Sequence, residues 1–149
     1  MKRSLAFVLA SALLTLSPLA SQAADTPAAN KKLVLEFYDT ALNKRDADAA
    51  LKYLGDKYIQ HNPMAPDGAA GVKGLIEMLK AKYPQGKNEI KRSMAEGNLV
   101  MLHVHSKTGP DDRGRAIVDI FRVENGKIVE HWDVMQAIPE KAANDNTMF

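Results

Sequence analysis

Apolar residues in the first half of the chain recur at the three- and four-residue spacing of amphipathic helices. This pattern is clearest within residues 30–43 and predicts a first helix there. Asp46 can cap a second helix over residues 47–54, because its carboxylate can accept hydrogen bonds from the free amides of the first turn. A third helix is predicted over residues 72–82 and ends before Pro84.

The second half of the chain changes to the two-residue period of β-strands. Four strand-like runs cover residues 89–95, 99–106, 115–124 and 127–136. Three helices followed by four antiparallel strands indicate an α+β domain, with the helices packed over one face of a curved sheet.

The pair Asn125-Gly126 predicts a two-residue type I′ turn, which sets the register of the last two strands. Counted outward from this turn, Asp119 faces Trp132 on an apolar face of the hairpin, whereas His131 lies on the opposite face. A β-bulge in either strand would invert part of this assignment.

Residues 1–23 have the three parts of a secretory signal peptide. Lys2 and Arg3 precede an apolar run, and small residues occupy the cleavage positions before and at Ala23. We therefore expect cleavage after Ala23, an N-terminal extension over residues 24–32, and a periplasmic or secreted protein that is not held at the membrane.

Composition narrows the function classes. Of the 149 residues, 20 are Lys or Arg and 18 are Asp or Glu, so without Lys2 and Arg3 the rest of the chain has 18 of each sign. A neutral body offers no electrostatic basis for binding nucleic acid. The chain has no cysteine, which excludes disulfides, thiolate metal sites and a cysteine nucleophile.

Asp119 is the main candidate for chemistry, because the register places its carboxyl group between Ile117 and Phe121. A desolvated carboxylate in a pocket can act as a general base. The alternative is a structural carboxylate paired with Arg115 or a histidine. The sequence supports the general base and the structural carboxylate about equally. Trp132 is expected to form one wall of the cavity.

Histidines supply the remaining candidates. On the strand over residues 99–106, His103 and His105 project from the same face, a spacing that is also found in metal sites. We favour the simpler interpretation, in which one imidazole forms hydrogen bonds in the pocket and the other is at its rim, and we expect no metal. Gln136 could close the open end of the sheet and bind a substrate oxygen.

Three segments together resemble the SnoaL-like branch of the nuclear transport factor 2-like superfamily. They are Tyr-Ile-Gln-His-Asn-Pro at residues 58–63, His-Val-His at 103–105, and the long run over residues 118–134. The likeness spans residues 33–139, and we expect a flexible tail over residues 140–149. It implies a cone-shaped α+β barrel, in which a strongly curved antiparallel sheet and three N-terminal helices enclose a pocket, and a homodimer formed through the outer face of the sheet.

The resemblance also implies an activity. SnoaL relatives are polyketide cyclases that close a ring by intramolecular aldol condensation without a metal or cofactor, using an aspartate in the pocket. Here that position falls on Asp119, with His61 and His105 as further catalytic candidates. The expected substrate-binding residues are His103, Phe121, Trp132 and Gln136.

Three functions are compatible with the sequence. The leading prediction is a cofactor-independent acid/base enzyme of cyclase, isomerase or hydrolase type, acting on a small apolar carbonyl compound. The second is an exported protein that binds a small apolar ligand without chemistry, and the third is a metal enzyme using His103 and His105.

Overall fold

The computed structural model of the protein describes residues 25–149, so the predicted signal peptide lies outside the described residues. The helical segments in chain order are α1 (Pro27–Tyr38), a π-helical turn (Asp39–Asn43), α2 (Ala47–Leu51) and α3 (Gly68–Lys82). As predicted, Asp46 caps α2, and its carboxylate accepts a hydrogen bond from the amide of Ala49 at 3.0 Å. No helix within residues 25–149 is long and apolar enough to cross a membrane.

The strands of the described chain form one sheet. They are β1 (Leu54–Gln60), β2 (Lys87–Glu96), β3 (Leu99–Lys107), β4 (Arg115–Glu124) and β5 (Lys127–Ala137). Their spatial order is β1-β5-β4-β3-β2, with β1 parallel to β5 and the other neighbours antiparallel. This is an α+β arrangement built on one mixed sheet.

The predicted sheet requires three corrections. It is mixed rather than antiparallel, and it is open, with β1 and β2 as its edges, rather than closed into a barrel. The helices also do not all precede the sheet, because β1 lies between α2 and α3. The sequence hides β1, since Gly55, Asp56 and Lys57 interrupt its apolar alternation.

The turn between β4 and β5 has the predicted form, with positive φ angles of 51° at Asn125 and 69° at Gly126. The register then changes, because Val123 pairs with Ile128 whereas Arg122 pairs with Glu130. Val129 is therefore an extra residue, a β-bulge that reverses the faces of β5 beyond it.

The bulge corrects the predicted pairing of Asp119. This residue faces Asp133 instead of Trp132, and Phe121 faces His131. Because side chains alternate along a strand, His131 now points to the inner, helix-covered face of the sheet and Trp132 to the outer face.

The hydrophobic core lies between the helices and the inner face of the sheet. Val100, Leu102 and Val104 alternate inward along β3 and are fully buried, and they pack with Val34 and Ile76 from the helices. Burial of these alternating residues fixes which side of β3 faces the helices.

Residues 138–149 contain no helix or strand. The ring of Phe149 nevertheless packs on the outer face of the sheet, with its centroid 4.5 Å from that of His105 and 5.3 Å from that of His103. That residues 140–149 form a flexible tail stays a prediction.

Candidate active site

A cavity of about 450 Å³ lies between the helices and the inner face of the sheet. Its walls come from α1, the π-helical turn, α3, the end of β1, and the inward residues of β4 and β5. Most of the wall is apolar, and typical members are Phe37, Val72, Ile76, Ile117 and Phe121. A volume of this size accommodates a small organic molecule.

A chain of hydrogen bonds crosses one wall of this cavity. The hydroxyl of Tyr38 donates to Oδ2 of Asp119 at 2.9 Å, and Oδ1 of Asp119 is 3.0 Å from Nε2 of His131. On its other side, Nδ1 of His131 is 2.9 Å from Oε1 of Gln60. Asp119 is only 5 % exposed and His131 only 7 %, so this polar chain is almost removed from bulk water.

The fold explains why these four residues meet. Asp119 is on the inner face of β4, and the bulge at Val129 turns His131 to the same side on β5. Gln60 pairs with His131 across the parallel β1–β5 contact. Tyr38 is at the end of α1, where the helix packs over the sheet.

The hydrogen-bond partners define where the protons are. Oε1 of Gln60 also accepts a hydrogen bond from the backbone amide of Asn62 at 2.9 Å, so this oxygen is an acceptor and Nδ1 of His131 must donate to it. A bare Nε2 facing a carboxylate oxygen would be repelled, so Asp119 and His131 hold one proton between them. Such a pair can exchange a proton with a bound molecule while it keeps its position.

Two tyrosines near Asp119 stay neutral over a wide pH range. Burial, and then the nearby charge of Asp119, raise the pKa of Tyr38 well above its ordinary value of 10.0. Burial also raises the pKa of Tyr58, which lines the cavity. The Tyr58 hydroxyl accepts a long hydrogen bond of 3.5 Å from Gln60, and its own proton has no acceptor among residues 25–149.

Asp133 adds a second carboxylate to the site. Its two oxygens accept hydrogen bonds from the side-chain amide of Asn62 at 2.9 and 2.7 Å. One donor atom each from Asp119, His131 and Asp133 lies within 4.8 Å of the others, so these are the described residues best placed to hold a metal ion. Each of the three side chains already has a protein hydrogen-bond partner, so the cluster is satisfied by the protein itself.

The structure brings only part of the predicted site together. Asp119 and Phe121 line the cavity, as expected from their shared face on β4. Trp132 is on the outer face because of the bulge, and its indole stacks on the ring of His61 at 4.8 Å. His61 is also 2.8 Å from Glu130, where its hydrogen bond and that of Arg122 lower the pKa of the Glu130 carboxyl.

The other predicted residues also lie away from the cavity. His103 and His105 share the outer face of β3, because Val100, Leu102 and Val104 occupy the inner one. Nδ1 of His103 is 2.7 Å from a guanidinium nitrogen of Arg92, and Nε2 of His105 donates to the carbonyl of Arg113 at 2.8 Å. Gln136 is exposed and pairs with Ala116. Their predicted placement at the pocket is therefore corrected.

Sequence reasoning missed most of the polar cluster. Tyr58 and Gln60 are two residues apart, and this spacing would have placed them on one face if their segment had been recognised as a strand. Tyr38 lies on the buried face of α1, but the partner of its hydroxyl is 81 positions away in the sequence. The inward position of His131 could be predicted only with knowledge of the bulge at Val129.

The chain belongs to the family of SnoaL-like domains, whose family model matches residues 34–131. A search of curated proteins finds no match.

Solved structures with the same fold come from several bacteria. A protein of unknown function with a nuclear transport factor 2-like fold from Cytophaga hutchinsonii is 26 % identical, with a TM-score of 0.60 over 72 % of this chain and 89 % of that one. A candidate ketosteroid isomerase from Kribbella flavida is 16 % identical, with a TM-score of 0.64 over 83 % and 89 % of the two chains. A candidate polyketide cyclase from Acidithiobacillus ferrooxidans is 18 % identical, with a TM-score of 0.61 over 80 % and 91 %.

Proposed function

We propose that this protein is a cofactor-independent acid/base enzyme that acts on a small apolar carbonyl compound. The observation that carries the proposal is the buried Tyr38–Asp119–His131–Gln60 chain on the wall of a mainly apolar cavity. Buried titratable groups at a cavity that admits a ligand are the usual setting of proton transfer. The structural relatives named for isomerase and cyclase activity support this class, because both reactions proceed through an enolate.

In the proposed reaction, the Asp119 carboxylate removes a proton from the carbon next to the substrate carbonyl. The electrons of the broken C–H bond form the carbon–carbon double bond of an enolate, and the negative charge moves to the carbonyl oxygen. His131 donates a hydrogen bond from Nε2 to Oδ1 of Asp119 and so stabilises the carboxylate before the proton transfer. In an unsaturated ketone, the resulting dienolate takes the proton back from Asp119 at its γ-carbon, which moves the double bond. In a cyclisation, the enolate carbon forms a bond to a second carbonyl carbon of the same molecule, the electrons of that C=O double bond move to its oxygen, and the alkoxide takes the proton back from Asp119.

The enolate oxygen needs a hydrogen-bond donor, and we assign this role to Tyr58. Tyr58 lines the cavity, and its hydroxyl proton has no acceptor among the described residues. Because its pKa is raised, the phenol remains a neutral donor. Donors directed at a developing oxyanion in a site shielded from water contribute strongly to rate.

The test is hydrogen exchange of an apolar ketone, 2-decanone, in deuterium oxide, followed by NMR. The wild-type protein should speed the loss of the hydrogens next to the carbonyl. Asp119→Asn should reduce that acceleration roughly 10²–10⁴-fold, which is the range for general base catalysis. Asp111→Asn is the matched control, since this exposed carboxylate does not line the cavity. Equal exchange by wild type and Asp119→Asn would refute the mechanism.

A non-catalytic binding protein is the alternative that a specific observation favours. Both oxygens of Asp119 already have protein partners, as expected of a structural carboxylate. Native mass spectrometry of gently purified protein would then show a retained small molecule, and wild-type protein would not speed ketone exchange.

We further propose that the protein is exported and forms a homodimer. The pattern of residues 1–23 supports export, and cell fractionation tests it. The outer face of the sheet exposes Met94 (54 %), Leu99 (41 %) and Val134 (74 %), which supports pairing of two copies there. Sedimentation velocity should show a dimer that Val134→Glu converts to a monomer, and a monomeric wild type would contradict this.

A further inference from the structure

We propose that the ligand of the cavity carries a carboxylate, which binds at the cationic end of the cavity while its apolar body extends toward Asp119. The proposal deepens the proposed function by naming a substrate class, and only its statement about chemistry at Asp119 rests on that function. Four cationic residues line the cavity, namely Arg45, Lys82, Lys107 and Arg115. The carboxylates that line it are Asp119 and Asp133, so positive charge is in excess.

Arg45 is the central observation because it is a buried cation without a carboxylate. It is only 7 % exposed, and none of the described carboxylates lies within the 4.0 Å of a salt bridge. Its guanidinium donates to the backbone carbonyls of Tyr83 and Gly86, and its Nε has no hydrogen-bond partner in the described chain. A buried charge compensated only by carbonyl dipoles is costly, and a nearby anion would reduce that cost.

The local backbone is built around this guanidinium. Arg45 has a positive φ of 54°, a conformation that is unfavourable for a residue with a side chain. Gly86 approaches so closely that an added Cβ would lie 2.6 Å from Nη2 of Arg45. Two unusual backbone features therefore hold the charge at the cavity wall.

The other three cations meet at the same end for topological reasons. Lys82 ends α3 next to Tyr83, whose carbonyl accepts from Arg45. Lys107 ends β3 and Arg115 begins β4, the strand paired with it. None of the three has a salt-bridge partner within residues 25–149. The Nζ of Lys107 donates one hydrogen bond to the carbonyl of Pro110 at 2.9 Å, whereas Lys82 and Arg115 are exposed and can reach an anionic ligand.

The distance between the two ends indicates an elongated ligand. Arg115 and Asp119 are four residues apart on β4, which corresponds to about 13 Å along an extended strand. Ile117 lies between them on the inner face, and the surrounding wall is apolar. An elongated carboxylic acid matches this arrangement, with its carboxylate at the cationic end, its apolar chain along the wall and its reactive carbonyl near Asp119.

The test compares two probes of equal length, decanoate and 1-decanol, by isothermal titration calorimetry. Decanoate should bind wild-type protein at least about tenfold more tightly than decanol, consistent with a charge-assisted contact. The double variant Lys82→Gln/Arg115→Gln should remove this preference and leave decanol binding unchanged. The control Lys80→Gln/Arg113→Gln removes the same charge from residues two positions away that do not line the cavity, and should keep the preference.

Equal affinity for the two probes, no binding of decanoate, or an equal loss in the control variant would each overturn the proposal. Asp119→Asn separates it from the acid/base mechanism, because this variant should keep the preference for decanoate while it loses ketone exchange. Selective decanoate binding by a protein that exchanges no ketone would leave the anion site standing and refute the enzymatic proposal. Ketone exchange by a protein that does not prefer decanoate would refute the anion site and leave the enzymatic proposal standing.

Discussion

Tyr38→Phe is the most direct test of the buried hydrogen-bond chain. The substitution removes only the hydroxyl that donates to Oδ2 of Asp119 at 2.9 Å, and it keeps the ring that packs against Phe121. A hydrogen bond to a charged group contributes about 1.5–3 kcal/mol, so we expect a loss of about 2 kcal/mol of unfolding free energy at pH 7. Urea denaturation followed by circular dichroism measures this value.

The pH dependence of that loss provides the sharper result. The pKa of Tyr38 is raised in the folded state above its ordinary value of 10.0. The contribution of the Tyr38 hydroxyl to the free energy of unfolding is therefore complete below pH 10, the pKa of an unfolded tyrosine. It is lost as the pH rises from 10 toward the higher pKa of the folded state. Above pH 10 the wild type loses about 1.4 kcal/mol per pH unit through this group, and Tyr38→Phe does not.

The two stability curves should consequently converge as the pH rises above 10, because only the wild type loses stability through this group. Other titrating groups are common to both proteins and cancel in the difference. As a control, Tyr53→Phe removes a hydroxyl without a hydrogen bond among the described residues and should change the unfolding free energy by less than about 0.5 kcal/mol at pH 7. A difference between wild type and Tyr38→Phe that stays constant from pH 7 to 11.5 would refute the reasoning.

Two further predictions concern the loop and the guanidinium near the cationic end. The Asp112 carboxylate accepts three hydrogen bonds from Thr108 and Gly114, which lower its pKa from 3.8 to about 2. Its stabilising contribution is present above pH 3.8 and is lost as pH falls through about 2, so the advantage of wild type over Asp112→Asn in acid denaturation should shrink over that range. Gly86→Ala should destabilise the protein and displace the Arg45 side chain, because the new Cβ would lie 2.6 Å from Nη2; an unchanged melting temperature would contradict this.

Local patterns were sufficient to predict most of the fold. The bounds of strands β2 to β5 were predicted to within two residues. Apolar residues that alternate along the sequence, such as Val100, Leu102 and Val104 of β3, made these strands recognisable. The cap at Asp46 and the turn at Asn125 depend on the chemistry of single residues and their neighbours. The family resemblance predicted the nuclear transport factor 2-like fold and is confirmed by the SnoaL-like match.

Long-range contacts were not predictable in the same way. The parallel pairing of β1 with β5 joins Gln60 to His131, two residues that are 71 positions apart. Neither the weak alternation of residues 57–60 nor any local motif specifies that contact. The predicted histidines failed for a related reason, because the core residues of β3 determine that His103 and His105 face outward.

The bulge at Val129 determines which side chains of β5 reach the candidate site. Without the bulge, the inner face of β5 would present Trp132, and Asp119 would face an indole that can donate but cannot take up a proton. With it, the same motif presents an imidazole to the carboxylate and a second carboxylate, Asp133, beside it. The bulge also brings His131 beside Gln60, whose oxygen holds the imidazole proton in place. One unpaired residue thus places the imidazole of His131, rather than the indole of Trp132, beside the Asp119 carboxylate.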